Sequence, residues 1–313
     1  MNALIFILLI FIWGCSFIAI KFAVMEIPPY FAASMRIMTA LIFLLILRVV
    51  FYKKYSFAGI HKNIFFSILA GFFNLGIAWC FLFWGEKYTS PALASIINGS
   101  YPIWLLGLCL IFKIEEVTRT KILAVMLGFI GIITIFLPKI QVGMTENLSG
   151  ALSILAMAVS YAIASSIFKK FSAKILTLPH LIIQCIAGLC ITIPVSYFFE
   201  FEKWHEVFTA SSRAIGSTIY LGIFSTAIAI LLYFKLFKSI GAIRASLVTY
   251  CIPFVSIILD IVILRVSPHI NEVLGLFIIL SGIFVNYYFE ERSKKKEARM
   301  LPQVVFSNVT AEK

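Results

Sequence analysis

The side chains that could bind or transform a small molecule are few in this 313-residue chain, and they stand inside apolar stretches. Arg36 is a lone cation within one such stretch, and Asp260 is a carboxylate within another. A guanidinium can bind a carboxylate through two parallel N–H···O hydrogen bonds, so Arg36 is a candidate contact for an anionic group of a substrate. Two alternatives stay open: a structural ion pair with Asp260, and extension of the Arg36 side chain to a water interface.

Aromatic residues that carry a hydrogen-bonding end also stand within apolar stretches. Buried indole N–H and phenol O–H groups need partners, so these residues should face the interior of the protein. Amides and hydroxyls, including Ser95, Ser246 and Thr249, could add hydrogen bonds to a ligand or join helices to one another. The predicted substrate-binding residues are Trp13, Ser16, Arg36, Asn74, Trp79, Asn98, Tyr101, Tyr161, Tyr233, Tyr250 and Asp260.

Motifs for catalysis and for metal binding are missing from the sequence. It has no G-x-S-x-G, no H-E-x-x-H and no glycine-rich phosphate loop with a lysine. The four histidines are scattered, and none of the six cysteines forms a CxxC pair. We therefore expect no catalytic residues, no metal and no cofactor, and we expect neither an enzyme nor an ATP-driven pump.

Pro102 and Pro253 stand within apolar runs that are typical of helices. A proline inside a helix removes one hydrogen bond and clashes with the carbonyl four residues earlier. Those carbonyls belong to Asn98 and Thr249, and in a membrane they need water or a neighbouring side chain as a partner. The prolines predict kinks, which either line a cavity and support gating or serve packing alone.

Composition identifies the elements that must position these residues. Hydrophobic residues make up 62% of the chain and charged residues 13%, whereas soluble proteins have about 45–50% and about 25%. Apolar runs of about 20 residues recur, which is the length that a membrane-spanning helix needs. These features predict an all-α polytopic membrane protein. Basic cytoplasmic loops then explain the net charge of +12, and no nucleic-acid partner is expected.

The pattern of apolar runs predicts ten membrane spans. Most Lys and Arg residues fall in the loops that share a side with both termini, so both termini are predicted to be cytoplasmic. The charged stretch 291–313 is predicted to be a cytoplasmic tail. The spans are expected at 3–23, 30–50, 64–84, 92–112, 120–137, 149–168, 178–199, 214–234, 243–264 and 273–289.

The two halves of the chain repeat one another. Near the start of each half the offset is 148 positions, as for Trp13 and Tyr161. Each half holds five predicted spans, an odd number, so the second repeat, 147–290, must enter the membrane inverted relative to the first, 1–140. Inverted repeats are a device of secondary transporters, which place their binding site between the repeats near the membrane midplane. The clearest matches, at an offset of 151, are Ala94 with Ala245, Ser95 with Ser246 and Pro102 with Pro253.

Four groups of residues recur in a characteristic order and spacing: the stretch from Ile12 to Phe17, Pro29 with Arg36, Tyr88 to Ser90 with Ala94 to Pro102, and Ser239 to Ala242 with Ala245 to Pro253. In this order and spacing the chain resembles the drug/metabolite transporter superfamily, specifically its ten-span EamA family. The resemblance covers nearly all of residues 1–290. It implies a two-fold pseudosymmetric bundle in which spans one to four and six to nine surround a central cavity, with spans five and ten at the periphery.

The second half departs from the family pattern at two positions. Family members often carry a glutamate thirteen residues after the helix proline, a position that Glu115 fills in the first half and Val266 in the second. The family often has glycine where this chain has Asp260. We expect Glu115 to lie in a solvated charge cluster at the cytoplasmic end, and Lys21 to extend to the opposite membrane surface.

The expected function is secondary transport of small organic metabolites, amino acids or related amphiphilic solutes, across the cytoplasmic (inner or plasma) membrane. Transport would proceed by alternating access around a central cavity. The alternative is a membrane-embedded enzyme or a non-transporting membrane scaffold. The expected partners are a small-molecule substrate and the lipid bilayer, while a coupling ion, a counter-substrate and a homo-oligomer stay open.

Overall fold

A computed structural model describes residues 2–51, 64–89, 91–141, 148–171, 177–252, 255, 270–271, 273–275, 277–285 and 288–289. The regular structure of these residues is helical, with no strand among them. The predicted tail, 291–313, lies outside them. The helices are α1 Asn2–Glu26, α2 Pro29–Val50, α3 Ile64–Tyr88, α4 Pro91–Asn98, α5 Tyr101–Phe112, α6 Arg119–Gln141, α7 Leu148–Phe171, α8 Thr177–Glu200, α9 Ser212–Ile240 and α10 Ala242–Ser246. Turns of 3₁₀-helix follow α8 at Phe201–Phe208 and α10 at Leu247–Cys251.

Six helices are long and apolar enough to cross a membrane: α1, α2, α3, α7, α8 with its 3₁₀ extension, and α9. Large apolar side chains such as Phe11, Leu45 and Ile186 are exposed along them. Exposed apolar surface of this kind is favourable in lipid, because the lipid tails are as apolar as the side chains. The helices thus confirm the all-α membrane class that composition predicts.

The predicted fourth span, 92–112, is two helices rather than one. α4 ends at Asn98 and α5 begins at Tyr101, so the break precedes the proline. Pro102 is the second residue of α5, a position where the missing N–H of proline costs no helical hydrogen bond. The prediction of a continuous kinked helix is therefore wrong at this place. Pro253, the second predicted kink, lies outside the described residues.

α3 and α9 each contain a widened π-helical stretch. It covers Phe72–Ile77 in α3 and Leu221–Ile228 in α9, so the two stretches end 151 positions apart. Such turns are rare in helices and occur frequently at functional sites. Their equivalent placement marks the middle of α3 and α9 as corresponding parts of the two halves.

Both π-helical stretches offer a main-chain carbonyl to another helix. In α3, the carbonyl of Phe73 accepts a hydrogen bond from Ser160 Oγ at 2.7 Å. In α9, the carbonyl of Ser225 accepts one from Trp13 Nε1 at 3.1 Å. These bonds join α3 to α7 and α9 to α1. The carbonyl of Phe73 also accepts from the main-chain N–H of Ala78.

Two glycines at equivalent positions allow close approach between helices. A Cβ atom on Gly71 would lie 2.5 Å from Cα of Gln184. A Cβ atom on Gly222 would lie 2.8 Å from the main-chain oxygen of Arg36. Small residues of this kind let the backbones of membrane helices touch. Gly71 thus packs α3 on α8, and Gly222, 151 positions later, packs α9 on α2.

α6 packs against the helical residues within 270–289. Gly131 of α6 faces Ile279, and Gly282 faces Leu127 of α6. No described residue of α6 or of 270–289 lines the central cavity that the other helices form. This agrees with the peripheral place that the family resemblance implies for the fifth and tenth predicted spans.

Candidate functional site

A cavity of about 120 Å³ lies among the helices that surround the two π-helical stretches. Its walls come from α1 to α5, from α7 to α9 and from residues that follow α10. A mostly apolar wall with a few convergent polar groups is the usual construction of a small-molecule site. Nine of the predicted substrate-binding residues line this cavity: Trp13, Ser16, Arg36, Asn74, Trp79, Asn98, Tyr101, Tyr161 and Tyr233.

Tyr250 does not line the cavity. Its hydroxyl donates to the main-chain oxygen of Val125 at 2.8 Å, and its ring lies against Gly128. Tyr250 therefore packs the residues after α10 against α6, and we assign it no contact with a ligand. Asp260, the remaining predicted binding residue, and Val266 lie outside the described residues.

Arg36 is buried in the cavity wall, with 4% of its surface exposed. Its Nε donates to Thr226 Oγ1 at 2.9 Å, and its Nη2 donates to Ser225 Oγ at 3.3 Å. Its guanidinium carbon lies 3.9 Å from the centroid of the Trp79 ring, a cation–π contact. Extension of Arg36 to the membrane surface is thus wrong, while its pairing with Asp260 stays a prediction.

The aromatic residues of the cavity bond to one another and to a serine through their polar ends. The hydroxyl of Tyr101 lies 2.9 Å from that of Tyr233 and 2.8 Å from Ser165 Oγ. Trp79 Nε1 donates to the hydroxyl of Tyr161 at 2.7 Å. Because these bonds cross between helices, they fix the rings as rigid walls and leave hydroxyl groups facing the cavity.

A chain of hydrogen-bonded polar side chains runs from the cavity wall into the contact between α3 and α8. Asn74 Nδ2 donates to Gln184 Oε1 at 2.8 Å, and Gln184 Nε2 lies 2.6 Å from His180 Nε2. His180 Nδ1 in turn lies 2.6 Å from Ser67 Oγ. Since Gln184 Nε2 can only donate, His180 is a neutral imidazole with its proton on Nδ1, donated to Ser67. The chain fixes the orientation of the Asn74 carboxamide, which lines the cavity.

The sequence analysis singled out neither Gln184 nor His180, and both are buried in α8. An apolar helix gives little indication of which face points inward, so their burial had no local signal. The repeat offset could have found Gln184, because it stands 148 positions after Arg36. The second offset of the repeat, 151 positions, likewise leads from Asn74 to Ser225.

The lining residues fall at equivalent positions of the two halves. Ten pairs of them are related by the offsets that the sequence shows, and both members of each pair line the cavity. At 148 positions the pairs are Trp13 with Tyr161, Ser16 with Ala164, Phe17 with Ser165, Ile20 with Phe168 and Arg36 with Gln184. At 151 positions they are Asn74 with Ser225, Trp79 with Ile230, Leu82 with Tyr233, Asn98 with Thr249 and Tyr101 with Ile252.

Lys21 caps the end of α3 with its ammonium group. Its Nζ donates to the main-chain oxygens of Glu86 at 2.8 Å and Thr89 at 2.9 Å, with that of Lys87 at 3.4 Å. The last carbonyls of a helix have no partner within the helix and attract a cation. The expectation that Lys21 extends to the membrane surface stays a prediction, and its ammonium group is held by the carbonyls at the end of α3.

Glu115 lies in a buried cluster and not in a solvated one. Its carboxylate bonds to Lys121 Nζ at 2.8 Å, contacts Lys169 Nζ at 3.5 Å and accepts from the main-chain N–H of Ala242 at 2.6 Å. Only 8% of its side chain is exposed. Glu115 thus joins the segment between α5 and α6 to the start of α10.

The chemistry that these residues offer is recognition. The cavity presents a guanidinium, carboxamides and hydroxyls, and no group of three or more His, Cys, Asp or Glu residues in the described part of the chain could hold a metal ion. The apolar and aromatic majority of the wall suits the hydrocarbon part of a ligand, and the polar groups can fix its orientation.

Comparison with known proteins gives relatives along most of the chain. It is 26% identical over 283 residues to the protein PagO of Salmonella typhimurium, covering 90% of this chain and 91% of that protein. It is 27% identical over 273 residues to an uncharacterized transporter of Archaeoglobus fulgidus, covering 87% and 94%. It is 26% identical over 285 residues to an uncharacterized transporter of Buchnera aphidicola, covering 91% and 92%.

A solved crystal structure has the same fold. It superposes with a TM-score of 0.72 at 16% identity and covers 93% of this chain and 98% of the other. The pattern of the EamA-like transporter family matches the chain twice, over residues 1–137 and 148–288. With its apolar helices, this makes the protein an integral membrane protein. The chain belongs to the EamA-like transporter family.

Proposed function

We propose that this protein is a secondary carrier of small organic metabolites that bear a carboxylate, namely amino acids or related amphiphilic solutes. The substrate binds in the central cavity and crosses the cytoplasmic membrane by alternating access. Its carboxylate contacts Arg36, its amino group contacts amide and hydroxyl oxygens, and its hydrocarbon part lies on the aromatic wall.

The burial of Arg36 is the observation that carries this proposal. A guanidinium inside a membrane protein is costly unless it faces protein, water or an anion. The described partners of Arg36, Thr226 and Ser225 among them, are neutral hydroxyls and an aromatic ring. A carboxylate offers two acceptor oxygens in the geometry of a guanidinium, and such charge-assisted hydrogen bonds are about twice as strong as neutral ones.

Groups that suit a substrate ammonium stand elsewhere in the same cavity. Asn74 and Asn98 line it with carboxamides, and Tyr101 and Tyr233 line it with hydroxyls. Asn98 is also the last residue of α4, and the carbonyl end of a helix carries a partial negative charge that favours a cation. A zwitterion can therefore satisfy both the cationic and the acceptor groups of the cavity.

The two halves are proposed to be inverted repeats of five spans each, over 1–140 and 147–290. The double match to one family pattern supports this division. So do the lining residues that pair between the halves, since a site between inverted repeats draws on both. Rocking of one repeat against the other would open the cavity first to one side and then to the other.

The placement of charges supports an orientation with both termini in the cytoplasm. Glu115 with Lys121 and Lys169 then lies at the cytoplasmic end, and Lys21 lies at the opposite end of the bundle. The family membership supports the inner or plasma membrane as the site of action.

Counterflow in proteoliposomes tests the proposal without assuming an energy source. Vesicles preloaded with unlabelled L-leucine or L-phenylalanine should exchange it for the labelled compound faster than protein-free vesicles do. Arg36→Gln should remove most of this exchange. Arg119→Gln, which removes an exposed cation at the start of α6, should leave the exchange unchanged. An amine without a carboxylate, such as phenethylamine, should not exchange.

Two results of the counterflow assay would contradict the proposal. If neither amino acids nor other carboxylates of similar size exchange, the cavity does not serve carboxylate transport. Equal exchange of phenethylamine and L-phenylalanine would show that the carboxylate makes no contact and that Arg36 is structural.

A further inference from the structure

The carboxyl group of Glu86 stands apart from the other acidic groups that the structure describes. The residue is fully buried at 0% exposure, and neither of its carboxyl oxygens has a hydrogen-bond partner. Glu115 has three partners, as described above. Glu200 accepts from the main-chain N–H groups of Tyr30 and Phe31. Glu86 is thus a buried acid whose polar atoms are unused in this conformation.

Glu86 stands on the same helix face as the Arg36 site. Trp79, Phe83 and Glu86 are spaced i, i+4 and i+7 along α3, which places them on one face. The guanidinium carbon of Arg36 lies 3.9 Å from the Trp79 ring centroid and 5.9 Å from that of Phe83. Glu86 is the next buried residue on this face, two residues before α3 ends at Tyr88. It therefore lies between the Arg36 site and the end of the helix.

The charged and titratable groups that act on Glu86 come from three packed helices. Lys21 on α1 and Arg36 on α2 attract its carboxylate electrostatically, and Tyr161 on α7 interacts with it as well. Glu200, an acid of α8, accepts from the main-chain N–H groups of Tyr30 and Phe31. Lys21 already donates to the carbonyls at the end of α3, and Arg36 already donates to hydroxyls. Both cations therefore lie near Glu86 without forming a direct ion pair with it.

We propose that Glu86 is the proton-binding site of this carrier and that the proton is transported together with a carboxylate substrate. The inference rests on the proposed function, because it requires a substrate carboxylate at Arg36. A proton from water adds to one oxygen of the Glu86 carboxylate, giving a neutral carboxylic acid, and returns to water when the site opens to the other side.

The cost of burial gives the reason for proton binding. An ionised carboxylate without hydrogen bonds is expensive to bury, and neutralisation removes this cost. While Glu86 is buried as in this structure, its neutral, protonated form is therefore favoured. When the end of α3 opens to water, the carboxylate can be solvated and the proton can leave.

Coupling to the substrate follows from the position of Arg36. With Glu86 ionised, a substrate carboxylate at Arg36 would add a second negative charge near the first, and like charges disfavour each other's ionised form. With Glu86 neutral, Arg36 attracts the substrate alone. Proton and substrate therefore favour each other's binding, and this coupling is necessarily reciprocal. Such positive coupling predicts cotransport in one direction and not exchange of a proton for the substrate.

The second half has no equivalent acid. The position 151 residues after Glu86 is Phe237, which lines the cavity. Glu86 thus supplies one proton site per cycle. At one proton per substrate, a gradient of one pH unit can drive at most about tenfold accumulation, since a tenfold ratio corresponds to about 1.4 kcal/mol.

Infrared spectroscopy tests proton binding without any substrate. At pH 7 the wild-type protein in lipid should show the C=O stretch of a protonated carboxylic acid in an apolar setting. Glu86→Gln, which has the shape of the neutral acid, should lack this band. Glu116→Gln, a change at an exposed carboxylate, should retain it. Wild-type and Glu86→Gln spectra that match between pH 5 and pH 9 would overturn the proposal, whatever the protein transports.

Transport then tests the coupling. In wild-type proteoliposomes, a pH gradient that is acidic outside should raise the accumulation of L-leucine or L-phenylalanine, and uptake of either should alkalinise the outer medium. Glu86→Gln should retain counterflow but show no response to the gradient. If wild-type counterflow proceeds and the gradient has no effect, Glu86 is not a coupling site although the carrier assignment stands. If the wild-type protein shows no counterflow of any carboxylate, the proposed function itself is refuted.

Discussion

Two helix contacts in this protein are built alike and differ in charge. Where α2 meets α9, Arg36 donates to Ser225 and Gly222 lets the helices touch. Where α8 meets α3, Gln184 accepts from Asn74 and Gly71 plays the same part. The residues of the two contacts correspond in pairs. Gln184 stands 148 positions after Arg36. Ser225 stands 151 positions after Asn74, and Gly222 stands 151 positions after Gly71.

The difference between the two contacts shows how a repeated scaffold can hold an asymmetric site. The backbone approach and the polar bridge are shared, so both contacts stabilise the bundle in the same manner. The charge occurs only in the first half, where Trp79 stacks on Arg36, while Ile230 fills the equivalent place in the second. The packing is thus duplicated, and the recognition chemistry is concentrated on one side.

Moving the charge from one contact to the other tests this asymmetry most strongly. Arg36→Gln should reduce counterflow of L-leucine by about 10- to 100-fold, since hydrogen bonds to a charged group contribute about 1.5–3 kcal/mol. Adding Gln184→Arg in the same chain should restore only part of the rate, because Ile230 cannot stack on the new guanidinium. Full restoration would mean that the two halves are functionally equivalent.

The glycines of the two contacts should respond equally to enlargement. Gly71→Ala and Gly222→Ala should each lower the stability by about 1–3 kcal/mol, because the added methyl groups meet backbone atoms. Gly216→Ala on α9, where nothing lies within 4 Å of the new atom, is the matched control. Thermal unfolding in detergent measures all three. A large loss for one glycine and none for its counterpart would break the structural equivalence.

The connection before α10 offers a smaller test of the same kind. Gly241 has φ of +89°, and a Cβ there would lie 2.8 Å from Glu115 Oε1. Gly241→Ala should cost about 1–2 kcal/mol, since this backbone region is almost reserved for glycine. The position 151 residues earlier is Ser90, so glycine occurs at this position in the second half alone. An unchanged melting temperature for Gly241→Ala would contradict the expected cost.

The smallest expected effects concern the carbonyls of the π-helical stretches. Ser160→Ala removes the donor to Phe73, and Trp13→Phe removes the donor to Ser225. Each should lower the stability by about 0.5–1.5 kcal/mol, the net contribution of one hydrogen bond. Hydrogen exchange in the middle of α3 and α9 reports the local part of this loss. Faster exchange elsewhere but not at these stretches would argue against the assignment.

Sequence reasoning reached much of this site because polar residues are informative in an apolar chain. Arg36, Asn74 and Asn98 were identifiable as unusual within membrane spans, and the repeat added Tyr161 to Trp13. Each of these five lines the cavity. A polar group in lipid has few stable places, so its type alone predicts that it points inward.

The residues that sequence reasoning missed needed the direction of a side chain. In a water-soluble helix the apolar stripe gives that direction, but α1 and α8 are apolar on nearly all sides. Tyr250 stands beside cavity residues in sequence and still points to Val125. The contacts of Lys21 and the burial of Glu86 are set by how the end of α3 packs, and no local sequence pattern indicates that packing. Tertiary packing decided these cases.

The π-helical stretches in α3 and α9 also bear on the history of the chain. A helix that closes its hydrogen bonds over five residues instead of four holds one residue more than the regular spiral needs. Phe72–Ile77 and Leu221–Ile228 end at corresponding positions of segments that match one family pattern. We infer that one residue was inserted in an ancestral half-length gene and was copied when that gene was joined to itself. Deleting one residue from either stretch should therefore turn it into regular α-helix and leave the later side chains of that helix on the faces they now occupy, whereas the same deletion elsewhere in α3 or α9 should turn them by about 100°.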